Sequence, residues 1–199
     1  NGETLTTTPI TVNDAHFAEL KTAVVDISGA PMSNGLLDRV KSRTAEITAK
    51  LSNPTRAGVS FKVNMSADGS AYTEIGWNRR EGYFVDRTHT EDAGINFPKP
   101  NYAIRYASGI GRDNTVLDFY ILVDRNNVEV YCDGFTVPFY ILTFASPNSE
   151  YMSFTSDDDL NIRELKVNTI GNIWRENGDN SVFYISETNV ELSTALTTE

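Results

Sequence analysis

The sequence predicts an all-β fold, an antiparallel β-sandwich or barrel with short helical turns near its N-terminus. Three observations carry this. Apolar residues recur at every second position in short segments punctuated by Gly, Asp, Asn and Pro, the pattern of half-buried strands joined by turns. Nine Tyr and ten Phe accompany many Val, Ile and Thr residues, types that suit a pleated surface better than a helix. The stretch Val116–Phe144 holds three apolar runs, Leu117–Val123, Val128–Cys132 and Phe139–Phe144, parted by Asp124-Arg125-Asn126-Asn127 and by Asp133-Gly134. Asn and Asp bond to nearby backbone and Gly accepts positive φ, so this reads as three strands and two turns.

The other elements follow in order. Residues 1–11 and 193–199 are Thr-rich and read as linkers or tails around a module spanning 12–192. Asn13 or Asp14 can cap one or two helical turns in Val12–Leu20, with Phe17 and Leu20 on one side. Lys21–Ile27 is a strand, ended by Ser28-Gly29-Ala30-Pro31; Leu36–Val40 is helical or extended. In Arg43–Leu51 alternation puts Ala45, Ile47, Ala49 and Leu51 on one side and Thr44, Glu46, Thr48 and Lys50 on the other. A meander follows: Ala57–Met65 with Val59, Phe61, Val63 and Met65 inward, then Tyr72–Trp77, then Gly82–Asp86. His89–Pro100 is a long loop of the kind that often binds, and Tyr102–Ala107 is another short strand. Beyond the central stretch come Tyr151–Thr155 and Ile162–Val167, a closing segment around Trp174, and Val182–Ile185. Within the central hairpin, Glu129 stands between Val128 and Val130, which predicts a carboxylate on the face opposite those valines, with Asn127 and apart from Tyr131.

Composition narrows the function. The chain has 199 residues, enough for one domain with a sizeable core. A net charge of −10 and few clustered Lys or Arg argue against nucleic acid and anionic membrane as partners. No apolar stretch approaches a transmembrane span, and the first residues lack the pattern of a signal peptide; a secreted origin would make this a processed piece. Cys132 is alone, so neither an intrachain disulfide nor a Cys-based zinc site is expected. His16 and His89 show no metal-ligand spacing. Asp157-Asp158-Asp159 raises calcium, but the spacing is not that of an EF-hand loop and a solvated turn is the preferred reading, so no cofactor is expected. Asn64-Met65-Ser66 is an N-glycosylation sequon.

Two segments carry a resemblance. Leu122-Val123-Asp124-Arg125-Asn126-Asn127-Val128-Glu129-Val130-Tyr131, followed by Asp133-Gly134, resembles the VDxSxVEVF…DG segment of the C-terminal β-sandwich module of glycoside hydrolase family 32, the invertases, levanases and inulinases. Gly82-Tyr83-Phe84-Val85-Asp86-Arg87-Thr88 is similar to the strand of that module that ends in a DR dipeptide. The family has Ser where Asn126 or Asn127 stands, and the segment after Trp174 has no matching part. The resemblance implies a concanavalin-like jelly roll without catalysis of its own, because the family's propeller motifs WxNDPNG, RDP and EC do not occur here.

Sugar binding needs carboxylates and Arg forks to grip hydroxyl pairs, and an aromatic ring to pack on the less polar face of the sugar. The candidates are Asp86, Arg87, Asp124 and Glu129, which match the family pattern, joined by Trp77, Arg80, Arg125 and Asp133, with Glu74 and Arg79 nearby. Trp77 also fits the core, and the Asp-Arg pairs also fit local salt bridges worth at most about 1 kcal/mol. The resemblance to fructan-binding modules makes terminal fructose the first ligand to expect. The expected protein is thus a carbohydrate-binding or adhesion module of a larger secreted or cell-surface protein, with flanking domains as partners. A module bracing a propeller hydrolase and a protein-interaction domain are the alternatives.

Overall fold

The computed structural model describes residues 5–7, 14–91, 93 and 103–171. A short helix, α1 (Asp14–Glu19), precedes eleven strands: β1 (Lys21–Pro31), β2 (Thr44–Ser52), β3 (Val59–Met65), β4 (Thr73–Asn78), β5 (Gly82–Asp86), β6 (Ile104–Tyr106), β7 (Val116–Asp124), β8 (Asn127–Cys132), β9 (Val137–Leu142), β10 (Tyr151–Ser156) and β11 (Asn161–Ile170). They form a six-stranded sheet in the order β1-β11-β2-β7-β8-β9 and a five-stranded sheet in the order β10-β3-β4-β5-β6. All strand pairs are antiparallel. The all-β sandwich expected from alternation is the fold.

Alternation builds the core directly. Ala45, Ile47, Ala49 and Leu51 on β2 are fully buried, as are Leu117 and Ile121 on β7 and Phe61 and Val63 on β3. Phe61 stacks on Phe154 at 4.2 Å and meets Phe119 of the other sheet edge-on at 5.3 Å; Tyr83 also meets Phe119 edge-on at 5.3 Å. Each such ring contributes roughly 1.5–3 kcal/mol by leaving water. Gly76 of β4 is needed for a different reason. The Phe84 ring crosses it so closely that a Cβ there would lie 2.7 Å from Cζ.

Several boundaries differ from the sequence reading. Strand β1 continues through Ser28-Gly29-Ala30-Pro31, because β11 pairs with it as far as Pro31↔Asn161. Leu36–Val40 is neither helix nor strand but a run of turns, and its Leu37 and Val40 are buried against the core. Met65 is only half-buried, since the register of β3 against β10 shifts there and Asn64 takes φ +50°. Trp174, Val182–Ile185, the 193–199 tail and most of the loop at 92–102 lie outside the described residues.

Two polar side chains join the sheets. Asn64, 2% exposed, donates from Nδ2 to the Arg125 carbonyl (2.7 Å) and to Thr143 Oγ1 (2.9 Å). Its Oδ1 is buried without a hydrogen-bond partner among the described residues, a cost on the order of 1–3 kcal/mol. The sequon asparagine therefore faces the interior, with both amide hydrogens taken. Arg87, 7% exposed, donates from Nη1 to the Leu142 carbonyl (2.8 Å) and from Nε to the Ala103 carbonyl (3.2 Å). Leu142 ends β9, the edge strand of the larger sheet among the described residues, so Arg87 covers an acceptor on that edge.

Candidate functional site

The β7–β8 hairpin organises the site. Its connection is the two-residue turn Arg125-Asn126, with Arg125 at φ +54°, a conformation a non-glycine residue rarely takes. Backbone bonds fix it: Arg125 N–H donates to the Arg43 carbonyl (2.7 Å), and Thr143 N–H to the Asn126 carbonyl (2.8 Å). Arg43 adds a side-chain bond from Nη2 to Asn126 Oδ1 (3.2 Å).

Cross-strand register then sets the outer face of the six-stranded sheet. One row runs Glu46, Leu122, Glu129, Tyr140, and the next runs Thr44, Asp124, Asn127, Leu142. These rows, apart from Glu46, floor a cleft of about 700 Å³, with Phe17 of α1, Arg43 and Ile170 among its other walls. Asp124, Arg125 and Glu129 all line it. Asp133, grouped with these three in the sequence reading, is not among the lining residues. Tyr140 is 59% exposed and offers an aromatic surface beside the carboxylates.

Glu129 is oriented by a neighbour. Tyr131 O–H donates to Glu129 Oε2 at 2.6 Å, and the Tyr131 ring packs edge-on against Tyr140 at 5.8 Å. Tyr131 therefore shares the face of Glu129, correcting the expectation that the two lie apart; residues two apart on a strand point the same way. Burial first, then the Glu129 hydrogen bond, pushes the Tyr131 hydroxyl well above its ordinary range, so it stays a donor at any physiological pH. Glu129 Oε1 takes no hydrogen bond among the described residues, and the buried Nε–H of Arg43 likewise has no partner. Glu129 and Arg43 thus stand in the lining of one cleft.

Glu46, in the same row, is fully engaged. Its Oε1 accepts from Lys21 Nζ (2.8 Å) and Tyr120 O–H (2.5 Å), and its Oε2 from Asn168 Nδ2 (2.8 Å). Burial alone would raise its pKa, but these hydrogen bonds outweigh that and hold it below the usual carboxylate value. Lys21 also sits 4.4 Å above the Phe17 ring, which ties α1 to this wall of the cleft.

The remaining candidates do not gather here. Trp77 is fully buried and its Nε1–H donates to the Gly111 carbonyl (2.9 Å), so in this fold it is a core ring with no face for a ligand. Arg87 is the inter-sheet clasp described above; burial first, then nearby Arg105, lowers its pKa. Asp86 Oδ1 caps the Thr88 N–H at 2.7 Å. Arg80 is exposed and pairs with Glu81 (3.1 Å). Asp133 is fixed in the β8–β9 turn, accepting from Asn114 Nδ2 (2.7 Å) and Thr136 Oγ1 (3.3 Å). Glu74 is half-buried on the five-stranded sheet, opposite Asp86, and Arg79 is exposed in the turn after β4. Asp157–Asp159 are exposed between β10 and β11, and no group of three or more His, Cys, Asp or Glu side chains converges among the described residues. Cys132 is 1% exposed, and burial raises its thiol pKa further.

Sequence reasoning missed Arg43, Tyr140 and Phe17. One signal was available for Tyr140: Val137–Leu142 is apolar at every position, too apolar for a strand with one solvated face.

Comparison with known proteins adds a family. The model for "Glycosyl hydrolases family 32 C terminal" matches residues 12–169. A levanase of Bacillus sp. (strain L7) is 28% identical over 144 residues, covering 71% of this chain and 15% of the levanase. The exo-inulinase from Aspergillus awamori superposes with a TM-score of 0.61 at 17% identity, over 79% of this chain and 31% of that one. Sucrose-6-phosphate hydrolase from Lactobacillus gasseri gives 0.59 at 19% identity, over 80% and 30%. Fructan 1-exohydrolase IIa from Cichorium intybus gives 0.58 at 11% identity, over 78% and 37%. At these identities the structures share the fold, and the chain spans about a third of their length or less.

Proposed function

We propose, from the premise that this chain belongs to the C-terminal domain family of glycosyl hydrolases family 32, that it is a non-catalytic module that holds fructan chains for a larger secreted or cell-surface protein. One observation carries the reading: Asp124, Arg125 and Glu129 line a single cleft of about 700 Å³ beside the exposed ring of Tyr140. Glu129 Oε1 and the Asp124 carboxylate accept from sugar hydroxyls, Arg43 and Arg125 donate to hydroxyl or ring oxygens, and Tyr140 covers the apolar face of a fructosyl unit. Tyr131 keeps Glu129 aimed. Bond cleavage belongs to another domain, since a hydrolase of this kind needs its two carboxylates in motifs that this sequence lacks.

Calorimetry with fructose, levan and inulin oligosaccharides tests this. Binding at micromolar to millimolar affinity, weakened at least tenfold by Glu129→Gln with the fold intact, is the expected result. No heat and no shift in Tm with any of the three at millimolar concentration would overturn it, because a ligand of the native state must stabilise it.

A second reading is favoured by Tyr140, Leu142 and Phe144, which are 59%, 49% and 40% exposed along and just beyond β9. In that reading this edge packs against the catalytic domain and braces it. Substituting Phe144, which does not line the cleft, with Asp would then loosen the module from a co-expressed catalytic domain while leaving sugar heats unchanged.

A further inference from the structure

Three unfavourable features meet at one joint beneath the cleft. Asn64 and Arg125 both hold positive φ, at +50° and +54°, a conformation that costs any residue with a Cβ. The Asn64 Oδ1 is also buried without a partner among the described residues. Asn64 belongs to the five-stranded sheet and Arg125 to a turn of the six-stranded sheet. The only bonds the Asn64 side chain makes among the described residues run across to that turn and to the end of β9, at 2.7 Å to the Arg125 carbonyl and 2.9 Å to Thr143 Oγ1. Thr143 in turn bonds the Asn126 carbonyl through its N–H at 2.8 Å.

A simple core position would be filled by an apolar side chain. An aspartate there would set a charged acceptor against the Arg125 carbonyl, and a serine has one donor where two are used. Asparagine is the small residue that tolerates this φ and supplies two donors from one atom.

The hairpin itself needs no such bond, because the β7–β8 ladder and the Arg125-to-Arg43 bond already close it. What Asn64 adds is a third tie, from the opposite sheet, that fixes the height and tilt of the turn. We propose that Asn64 is the positioning residue of the cleft: from the far sheet it holds the Arg125 carbonyl and Thr143 so that Asp124 and Arg125 face a fructan ligand. The ligand part of this rests on the reading under Proposed function. The mechanical part, that Asn64 immobilises the turn, does not.

The test uses the whole chain carrying Asn64→Gly, which accepts the backbone conformation and removes both bonds. Amide hydrogen exchange at Arg125 and Thr143 is expected to speed up at least tenfold, while Ile121 and Val130 in the adjoining strands keep wild-type rates. Affinity for levan oligosaccharides, measured well below the melting temperature, is expected to fall at least tenfold. If the Arg125 and Thr143 amides exchange at wild-type rates, or if every strand loosens equally, the positioning role is overturned. Should the wild-type chain bind no fructan while the exchange result holds, the cleft's assignment fails and the joint stands. Thr143→Val decides the matter if Asn64→Gly does not fold: it keeps Asn64 in place, deletes one of its two acceptors together with the long Oγ1 bond to the Asn126 carbonyl (3.3 Å), and should accelerate the same two amides by a smaller factor. Unchanged exchange in that variant would overturn the proposal as well.

Discussion

The same dipeptide ends two strands and meets two fates. Asp86-Arg87 closes β5 and Asp124-Arg125 closes β7, each after an inward valine, Val85 or Val123. By alternation both arginines should follow those valines inward. Arg87 does, and it is spent on the carbonyls of Ala103 and Leu142. Arg125 does not, because the chain reverses at it with φ +54°, which turns its side chain out to the cleft. Parity holds one residue past a strand's end where the backbone still pairs, as the Arg87 N–H does with the Ala103 carbonyl (3.1 Å), and is lost where a two-residue turn follows at once. Sequence can therefore nominate an arginine for a site, while the backbone that follows decides whether the arginine reaches it.

The contrast can be broken by paired substitutions. Arg87→Ala should lower unfolding stability by about 3 kcal/mol, because it removes a buried side chain and its charged bond across the sheets to the Leu142 carbonyl; Arg125→Ala should change it by no more than about 0.5 kcal/mol. Urea midpoints measure both, and equal losses would abolish the distinction. In calorimetry the ranking should invert for ligand, with Arg125→Ala weakening levan oligosaccharide binding about tenfold, or ~1.4 kcal/mol. A finer test is Arg125→Gly, which removes the guanidinium but suits positive φ: stability should rise by about 0.5 kcal/mol while affinity falls. If stability drops instead, the turn is not strained at that residue.

Acid gives the smallest effect, through Glu46 on β2, the strand next to the hairpin, where it pairs with Leu122. Glu46 is held below the usual carboxylate value by Lys21, Tyr120 and Asn168 acting against burial. A depressed acid contributes stability that is full above its unfolded pKa and fades as pH falls through its folded one. Thermal melts between pH 5 and pH 2 should therefore show a shallower acid decline for Glu46→Gln than for wild type. A parallel decline would mean that the network contributes nothing through ionisation.

Much of the fold was legible because period-two patterning is a local property. Gly82–Asp86 was read to the residue, and the turns at Arg125-Asn126 and Asp133-Gly134 were announced by their own side chains. What patterning cannot carry is which strands become neighbours. Strand β2 lies between β7 and β11, far apart in sequence, so Glu46 entering a row with Leu122, Glu129 and Tyr140 had no local sign. The site suffered in the same way. Asp124, Arg125 and Glu129 belong to one hairpin and were found together. Arg43 and Phe17 arrive from distant segments, and Trp77 stayed open between core and platform because a lone aromatic residue reveals nothing about its depth.

Arg87 has one further consequence. Strand β9 is apolar from Val137 to Leu142 and, among the described residues, pairs with no strand on its outer side, an edge that Pro138 interrupts but does not close. The guanidinium over the Leu142 carbonyl acts as a stopper there, and substituting it exposes the module to chain-upon-chain polymerisation during synthesis as well as to unfolding. Material lost to fibres or inclusion bodies would then be the first symptom of a damaged clasp, before any change in what the folded fraction does.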